Sequence, residues 1–95
     1  MKKVGCGNKL KMLRKENELT LEMLALDINN KFADELDDPI NKGMVSRWEN
    51  NRHDPSLSQA IILCKYFNVS MDYLMGLTDV RTPSHLLTHK KGANK

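Results

Sequence analysis

Three histidines, two cysteines and a run of carboxylates are the side chains of this chain whose chemistry could go beyond simple contact. His53 falls beside an expected turn, while His85 and His89 stand four residues apart near the end of the chain. That spacing can put two imidazoles on one helix face, as zinc ligands are placed, but no third ligand of suitable spacing accompanies them. No nucleophile stands near a base, no glycine-rich phosphate loop occurs, and no carboxylate pair sits on a rigid element. Asp34, Glu35, Asp37 and Asp38 lack the Gly and Asn/Asp rhythm of an EF-hand loop. Cys64 falls on an apolar stripe and reads as a small core residue, and two cysteines cannot build a disulfide framework. No catalysis, metal or cofactor is expected.

A different chemistry is written in Ile40-Asn41-Lys42-Gly43-Met44-Val45-Ser46-Arg47-Trp48-Glu49-Asn50. A helix begun at Asn41 turns Val45 and Trp48 inward and leaves Lys42, Gly43, Met44, Ser46 and Arg47 exposed or partly exposed. They cluster in the N-terminal half, the half that a recognition helix presents to base edges in the major groove. Arg47 can donate two parallel bonds to guanine O6 and N7, and Lys42 can meet guanine or phosphate. Ser46 can donate or accept, and Met44 can touch a thymine methyl. On these residues alone, a solvated helix face carrying two cations is an equal reading.

The elements that must hold this stretch are all helical. Asn8 reads as the cap of a first helix, Lys9 to Asn17, with Leu10 and Leu13 inward and Arg14 and Lys15 solvated. Thr20 caps a second, where Leu21, Leu24, Ala25 and Ile28 share a face. Phe32 and Leu36 continue that series, so the second helix is expected to reach about Glu35 before Asp37-Asp38-Pro39 stops it. The third runs from Lys42 to Asn50, and Asn50-Asn51 ends it, since Asn tolerates the left-handed conformation. Ser56 and Gln59 have capping-box form at the start of a fourth helix with Leu57, Ala60, Ile61, Cys64 and Phe67 as its stripe. Asn68 turns the chain, Ser70 caps again, and a short fifth helix ends at Gly76. No alternating run argues for a strand, so the fold class is an all-α orthogonal bundle.

Size and composition agree with one domain. Ninety-five residues carry 40% hydrophobic but only 5% aromatic side chains, so the core must be aliphatic. The longest apolar run, Ala60 to Cys64, is far short of the ~18–20 residues of a membrane span. Lys2 and Lys3 are followed by no apolar stretch, so a cytoplasmic chain without a secretory signal is expected. Net charge is +4 over residues 1–19, −5 over 20–41, +1 over 42–56, −1 over 57–80 and +4 over 81–95. Basic flanks around an acidic middle suit an anionic partner such as nucleic acid, and a solvated surface equally well.

The order Leu10-Lys11-Met12-Leu13-Arg14-Lys15, Leu19-Thr20-Leu21-Glu22-Met23-Leu24-Ala25, Val45-Ser46-Arg47-Trp48-Glu49-Asn50 and Pro55-Ser56-Leu57 resembles the lambda-repressor-like, Xre-type helix-turn-helix regulators of bacteria and phages. Tyr66-Phe67-Asn68-Val69-Ser70-Met71-Asp72-Tyr73-Leu74-Met75-Gly76 resembles the last two helices of that family. The resemblance implies a five-helix DNA-binding domain over residues 9–77. Before it, residues 1–8, with Gly5 and Gly7, read as a flexible basic arm, and after it residues 78–95 read as a basic tail with one further helical turn expected at Ser84 to Lys91. It implies a dimer on a palindromic operator, with repression the favoured outcome. Lys42, Gly43, Met44, Ser46 and Arg47 would face the groove, Thr20 and Leu21 would start the second helix against the phosphate backbone, and Asn51 and Arg52 would approach phosphate. Tyr73, Leu74, Leu77 and the tail are the candidates for pairing two copies. Lys2, Lys3, Arg81, Lys90, Lys91 and Lys95 fit either sequence-independent attraction to phosphate or disordered, solubilising ends, and their residue types do not choose between the two.

Four departures from the family pattern stand out. Leu21 replaces a frequent glutamine, Asn51 stands where glycine is usual, and Gly43 costs up to about 1 kcal/mol of helix propensity. The largest is an insert of about ten residues, Asn30 to Pro39, in place of a tight turn. Its acids would be repelled by phosphate, so it is expected to point away from a duplex, either to contact a protein partner or as a solvated loop. An antitoxin or adaptor that uses the bundle mainly for protein binding is the alternative function, and a small metal- or ligand-sensing protein is a further one.

Overall fold

Short polar side chains set where four of the five helices begin. The computed structural model describes residues 6–81 and contains α1 (Gly7–Glu16), α2 (Leu21–Lys31), α3 (Lys42–Glu49), α4 (Leu57–Phe67) and α5 (Met71–Leu74), with no strand among the described residues. Thr20 Oγ1 accepts the Met23 N–H at 3.0 Å, Asn41 Oδ1 the Met44 N–H at 2.9 Å, and Ser70 Oγ the Tyr73 N–H at 3.0 Å. Ser56 Oγ accepts from the Gln59 N–H at 3.2 Å while Gln59 Oε1 accepts from the Ser56 N–H at 2.8 Å, closing the expected capping box. Asn51 and Asn68 both take φ of 56° where helices end, and Gly76 takes 82°. Glu18 also has φ 56°, in the turn from α1 to α2.

Three expectations about these elements are corrected. Helix α1 starts at Gly7, so Asn8 lies inside it and Cys6 occupies the cap position without a side-chain bond. Cys6 is 1% exposed, and its carbonyl accepts the Leu10 N–H, so residues 6–8 belong to the bundle rather than to an arm. Gly7 is what allows this: a Cβ there would stand 2.6 Å from the Glu49 carbonyl oxygen and 2.7 Å from Asn51 Oδ1. Helix α2 ends at Lys31, not near Glu35, and the chain makes one further turn in which the Phe32 carbonyl accepts from the Glu35 and Leu36 N–H groups. Helix α4 buries Ala60, Ile62 and Leu63, whereas Leu57 is 74% and Ile61 40% exposed. Apolar residues cover most of its circumference, so spacing could not choose the inward side; contact with α2 and α5 chose it.

The core is aliphatic around Trp48, with Leu10, Leu24, Ile28, Val45 and Leu63 fully enclosed. Tyr66 braces α2 to α4: its hydroxyl donates to Asp27 Oδ2 at 2.5 Å and its ring lies 5.2 Å from Lys31 Nζ. Burial, then the Asp27 carboxylate, pushes this phenol up to about 12. Beyond Gly76 the chain folds back over α1. Arg81 donates to Glu16 Oε2 at 2.6 Å and to the Tyr73 hydroxyl at 3.2 Å, and its carbonyl accepts the Ser70 N–H. Arg81 is therefore tied to the body rather than free in a basic tail. Tyr73 and Leu74, expected to be available for pairing, are 4% and 0% exposed; Leu77 and Val80 are the exposed apolar residues there. Lys2, Lys3, His85, His89, the expected turn at Ser84 to Lys91 and the lysines 90, 91 and 95 lie outside the described residues.

Candidate nucleic-acid interface

Helix α3 is clamped from below and open above. Val45 and Trp48 are buried beneath it, as their spacing predicts. Its last residue, Glu49, is buried as well and takes a fork from α1: Arg14 Nε donates to Oε2 at 2.6 Å and Nη2 to Oε1 at 3.0 Å. Arg14 Nη1 also donates to the Leu19 carbonyl at 2.8 Å, so one guanidinium joins α1, the α1–α2 turn and α3. The Glu49 bonds push the Arg14 pKa further up. Arg14, expected in solvent, is thus a tertiary tie, because its partner lies 35 residues away and local spacing carries no sign of it. Cys6 sits on the same side of the bundle, and burial pushes its thiol up to about 11.

The outer face carries the residues picked from the sequence. Lys42 and Arg47 are exposed, while Gly43, Met44 and Ser46 are half-buried. Met44 packs partly against the core, which leaves only its outer part for an apolar contact. The Asn50 amide donates to the Ser46 carbonyl at 2.9 Å and lies 3.4 Å from its hydroxyl. A Cβ at Gly43 would stand 3.3 Å from Asn41 Oδ1 and 3.4 Å from Arg47 Nη1, so the Arg47 guanidinium lies back along the first turn of the helix. The Arg47 carbonyl accepts from the Arg52 and His53 N–H groups, fixing the turn that carries exposed Arg52. No ion pair among the described residues uses Lys42, Arg47 or Arg52. Cations left unpaired by their own protein are the ones available to an anion.

At the edges of this face the picture is mixed. Thr20 is exposed at the start of α2, and Leu21 is half-buried against the core, an apolar residue with no polar group to offer. The half-buried side chain of Asn51 abuts Gly7, so it is held by the α1 start. Between α3 and the start of α4 lies an open hollow of about 380 Å3 lined by Met44, Arg47, Trp48, His53, Asp54, Ser56 and Gln59. His53, Asp54 and Gln59 were not singled out for this face; the sequence sign for His53 and Asp54 was their place between two helices, and Gln59 was noted only as half of the capping box of α4. The insert also returns here, with Leu36, Asp37 and Asp38 around a second hollow of about 180 Å3 shared with Ser56, Ser58 and Gln59. It lies against the bundle through half-buried Phe32 and Leu36 and through Glu35, which pairs with Lys65 at 2.8 Å. Among the described residues, no group of three or more His, Cys, Asp or Glu is placed to hold a metal, and no helix is long and apolar enough to cross a membrane.

Comparison with known proteins identifies the family of the bundle. A helix-turn-helix family model matches residues 10–74, from within α1 to the end of α5. The chain is 35% identical over 75 residues to YobD of Bacillus subtilis (strain 168), named as an uncharacterized HTH-type transcriptional regulator. That match covers 79% of this chain and 58% of YobD, so the chain spans somewhat over half the length of that relative. No solved structure matches it. With five helices in the expected order and the family model matching residues 10–74 of the described 6–81, the chain belongs to the lambda-repressor-like, Xre-type helix-turn-helix family.

Proposed function

We propose that this chain is a DNA-binding transcription regulator that reads duplex sequence through the outer face of α3. One observation carries the reading: α3 is held from beneath by Val45, Trp48 and the Arg14–Glu49 fork, while Lys42 and Arg47 point outward with no ion-pair partner among the described residues. Arg47 is the bidentate donor to a guanine, Lys42 meets guanine or phosphate, and Ser46 and Met44 supply a hydroxyl and an apolar contact. Thr20 and Arg52 approach the backbone and set the register without reading sequence, while Asn51, with its side chain against Gly7, shapes the turn that carries Arg52. Gly43 allows close approach, and Leu21 fills space at the start of α2. The relative YobD is named a transcriptional regulator, which supports the same class of function.

In this reading two copies bind a palindromic operator and repress a nearby promoter, with the exposed Leu77 and Val80 as the pairing surface. The decisive experiment is selection of bound sites from a random duplex pool, followed by a salt titration on the selected site. A recovered motif with two-fold symmetry and an affinity that falls steeply with salt is expected. Recovery of no motif, with equal binding to all duplexes, would remove sequence reading from the account.

A further inference from the structure

We infer that Asn29 is the residue that positions the reading helix, and that its carboxamide does the work usually left to a short turn between the two helices. The inference rests on the reading of α3 given above. Ten residues, 32–41, including most of the insert, separate α2 from α3. A loop of that length, by itself, holds its two ends together only weakly. Here the insert is bypassed. Asn29 Nδ2 donates to the Ile40 carbonyl at 2.8 Å, and the Ile40 N–H donates to Asn29 Oδ1 at 2.8 Å. One planar group thus takes both polar groups of one backbone residue, and two parallel bonds fix an orientation where one fixes only a distance.

The location gives this pair its consequence. Ile40 is 2% exposed, and Ile28, next to Asn29, is fully enclosed, so both sides of the clamp are seated in the core. Asn41, the cap of α3, follows Ile40 directly, and Lys42, the first outward cation, follows Asn41. A binding constellation must be held to within roughly 0.5 Å to stay productive, and two residues of chain cannot absorb a shift of Ile40. The remaining ties of the insert are weaker. Phe32 and Leu36 are half-buried, and the Glu35–Lys65 pair is exposed on both sides. The side-chain hydrogen bonds of Asn29 go to Ile40 and to no reading residue; it acts through Ile40 and Asn41 as a positioning residue.

The test compares Asn29→Ala and Asn29→Asp with Tyr66→Phe in the full chain, below the melting temperature of each. Tyr66→Phe removes a hydrogen bond between α2 and α4 without touching α3 and serves as the control for lost stability. Asn29→Ala is expected to lower the ratio of operator to random-duplex affinity about 10-fold, with random-duplex affinity changed less than 2-fold. Asn29→Asp keeps the acceptor for the Ile40 N–H but sets a carboxylate against the Ile40 carbonyl, and is expected to behave like Asn29→Ala. Tyr66→Phe should leave the ratio unchanged. In parallel, amide exchange at Ile40 and Val45 should accelerate about 10-fold in Asn29→Ala relative to amides of α4. A folded Asn29→Ala with an unchanged affinity ratio overturns the proposal, as does an exchange increase spread evenly over α3 and α4. If the unsubstituted chain prefers no duplex, the reading of α3 fails instead, and the exchange comparison alone then decides the clamp.

Discussion

Arg14 and Arg47 are the same residue in two regions that treat a guanidinium in opposite ways. On the inner seam between α1 and α3, Arg14 is 11% exposed and spends three donor groups on Glu49 and the Leu19 carbonyl. On the outer face of α3, Arg47 is exposed and forms no ion pair among the described residues. Arg47 stands in the last turn of α3, two residues before Glu49, rather than in the N-terminal half where the reading residues were expected to cluster, so a single helix commits one face to the fold and leaves the other free for a partner. The contrast teaches that charge on this helix is sorted by partner rather than by residue type: an arginine whose carboxylate is supplied at home holds the structure, and one without is available to phosphate or guanine.

The sharpest way to break the contrast is to empty the seam. Glu49→Ala leaves the Arg14 charge enclosed without its partner and should cost about 3–5 kcal/mol in urea unfolding, whereas Arg14→Met with Glu49→Leu should recover most of that loss. If Glu49→Ala costs under ~1 kcal/mol, the seam is no different from an exposed pair. Alkali should attack the same side. Cys6, raised by burial from 9.0 to about 11, contributes stability that is present below pH 9 and lost as pH rises through about 11. Cys6→Ala should flatten the fall in melting temperature over that window, while Arg47→Ala should not.

The outer face gives the complementary outcome. Arg47→Ala should weaken operator binding by about 1–3 kcal/mol and relax one base position, with stability changed by less than ~0.5 kcal/mol. Equal losses on operator and random duplex would reassign Arg47 to a phosphate. Asn41→Ala, which uncaps the helix that both regions share, should cost about 1 kcal/mol of stability in a thermal melt. The smallest effect is expected at the insert. Asp37 and Asp38 stand near Ser56 and Gln59, which also line the hollow beside Arg47. Replacing both by Asn should raise affinity for any duplex about 2–4-fold at low salt and hardly at all at high salt, since screened charges at roughly 10 Å act weakly. An unchanged affinity at low salt would mean that the insert lies clear of the duplex.

What could be read along the chain follows one physical limit, the reach of a side chain. Thr20, Asn41, Ser56 and Ser70 bond an amide three residues away, so their residue type and spacing sufficed to place four helix starts. Val45 and Trp48 lie on one helix face by geometry alone, so the outward set Lys42 to Arg47 could be named without a structure. The resemblance to helix-turn-helix regulators rested on these same local segments, and the family match runs over them.

Other features were invisible for the reverse reason. Arg14 meets Glu49 across 35 residues and Asn29 meets Ile40 across 11, and nothing in either neighbourhood announces the partner. Cys6 and Gly7 look like part of a loose arm until the Glu49 carbonyl and Asn51 are brought against them. Helix α4 is apolar nearly all round, so its inward side was settled only by what packed on it. The amino-acid sequence by itself determined where four of the five helices start, which face of α3 turns outward and which family the chain resembles, because those depend on groups within one or two turns. Only the tertiary structure decided which charges are spent inside and how α3 is held, because that requires distant segments to be brought within hydrogen-bonding distance.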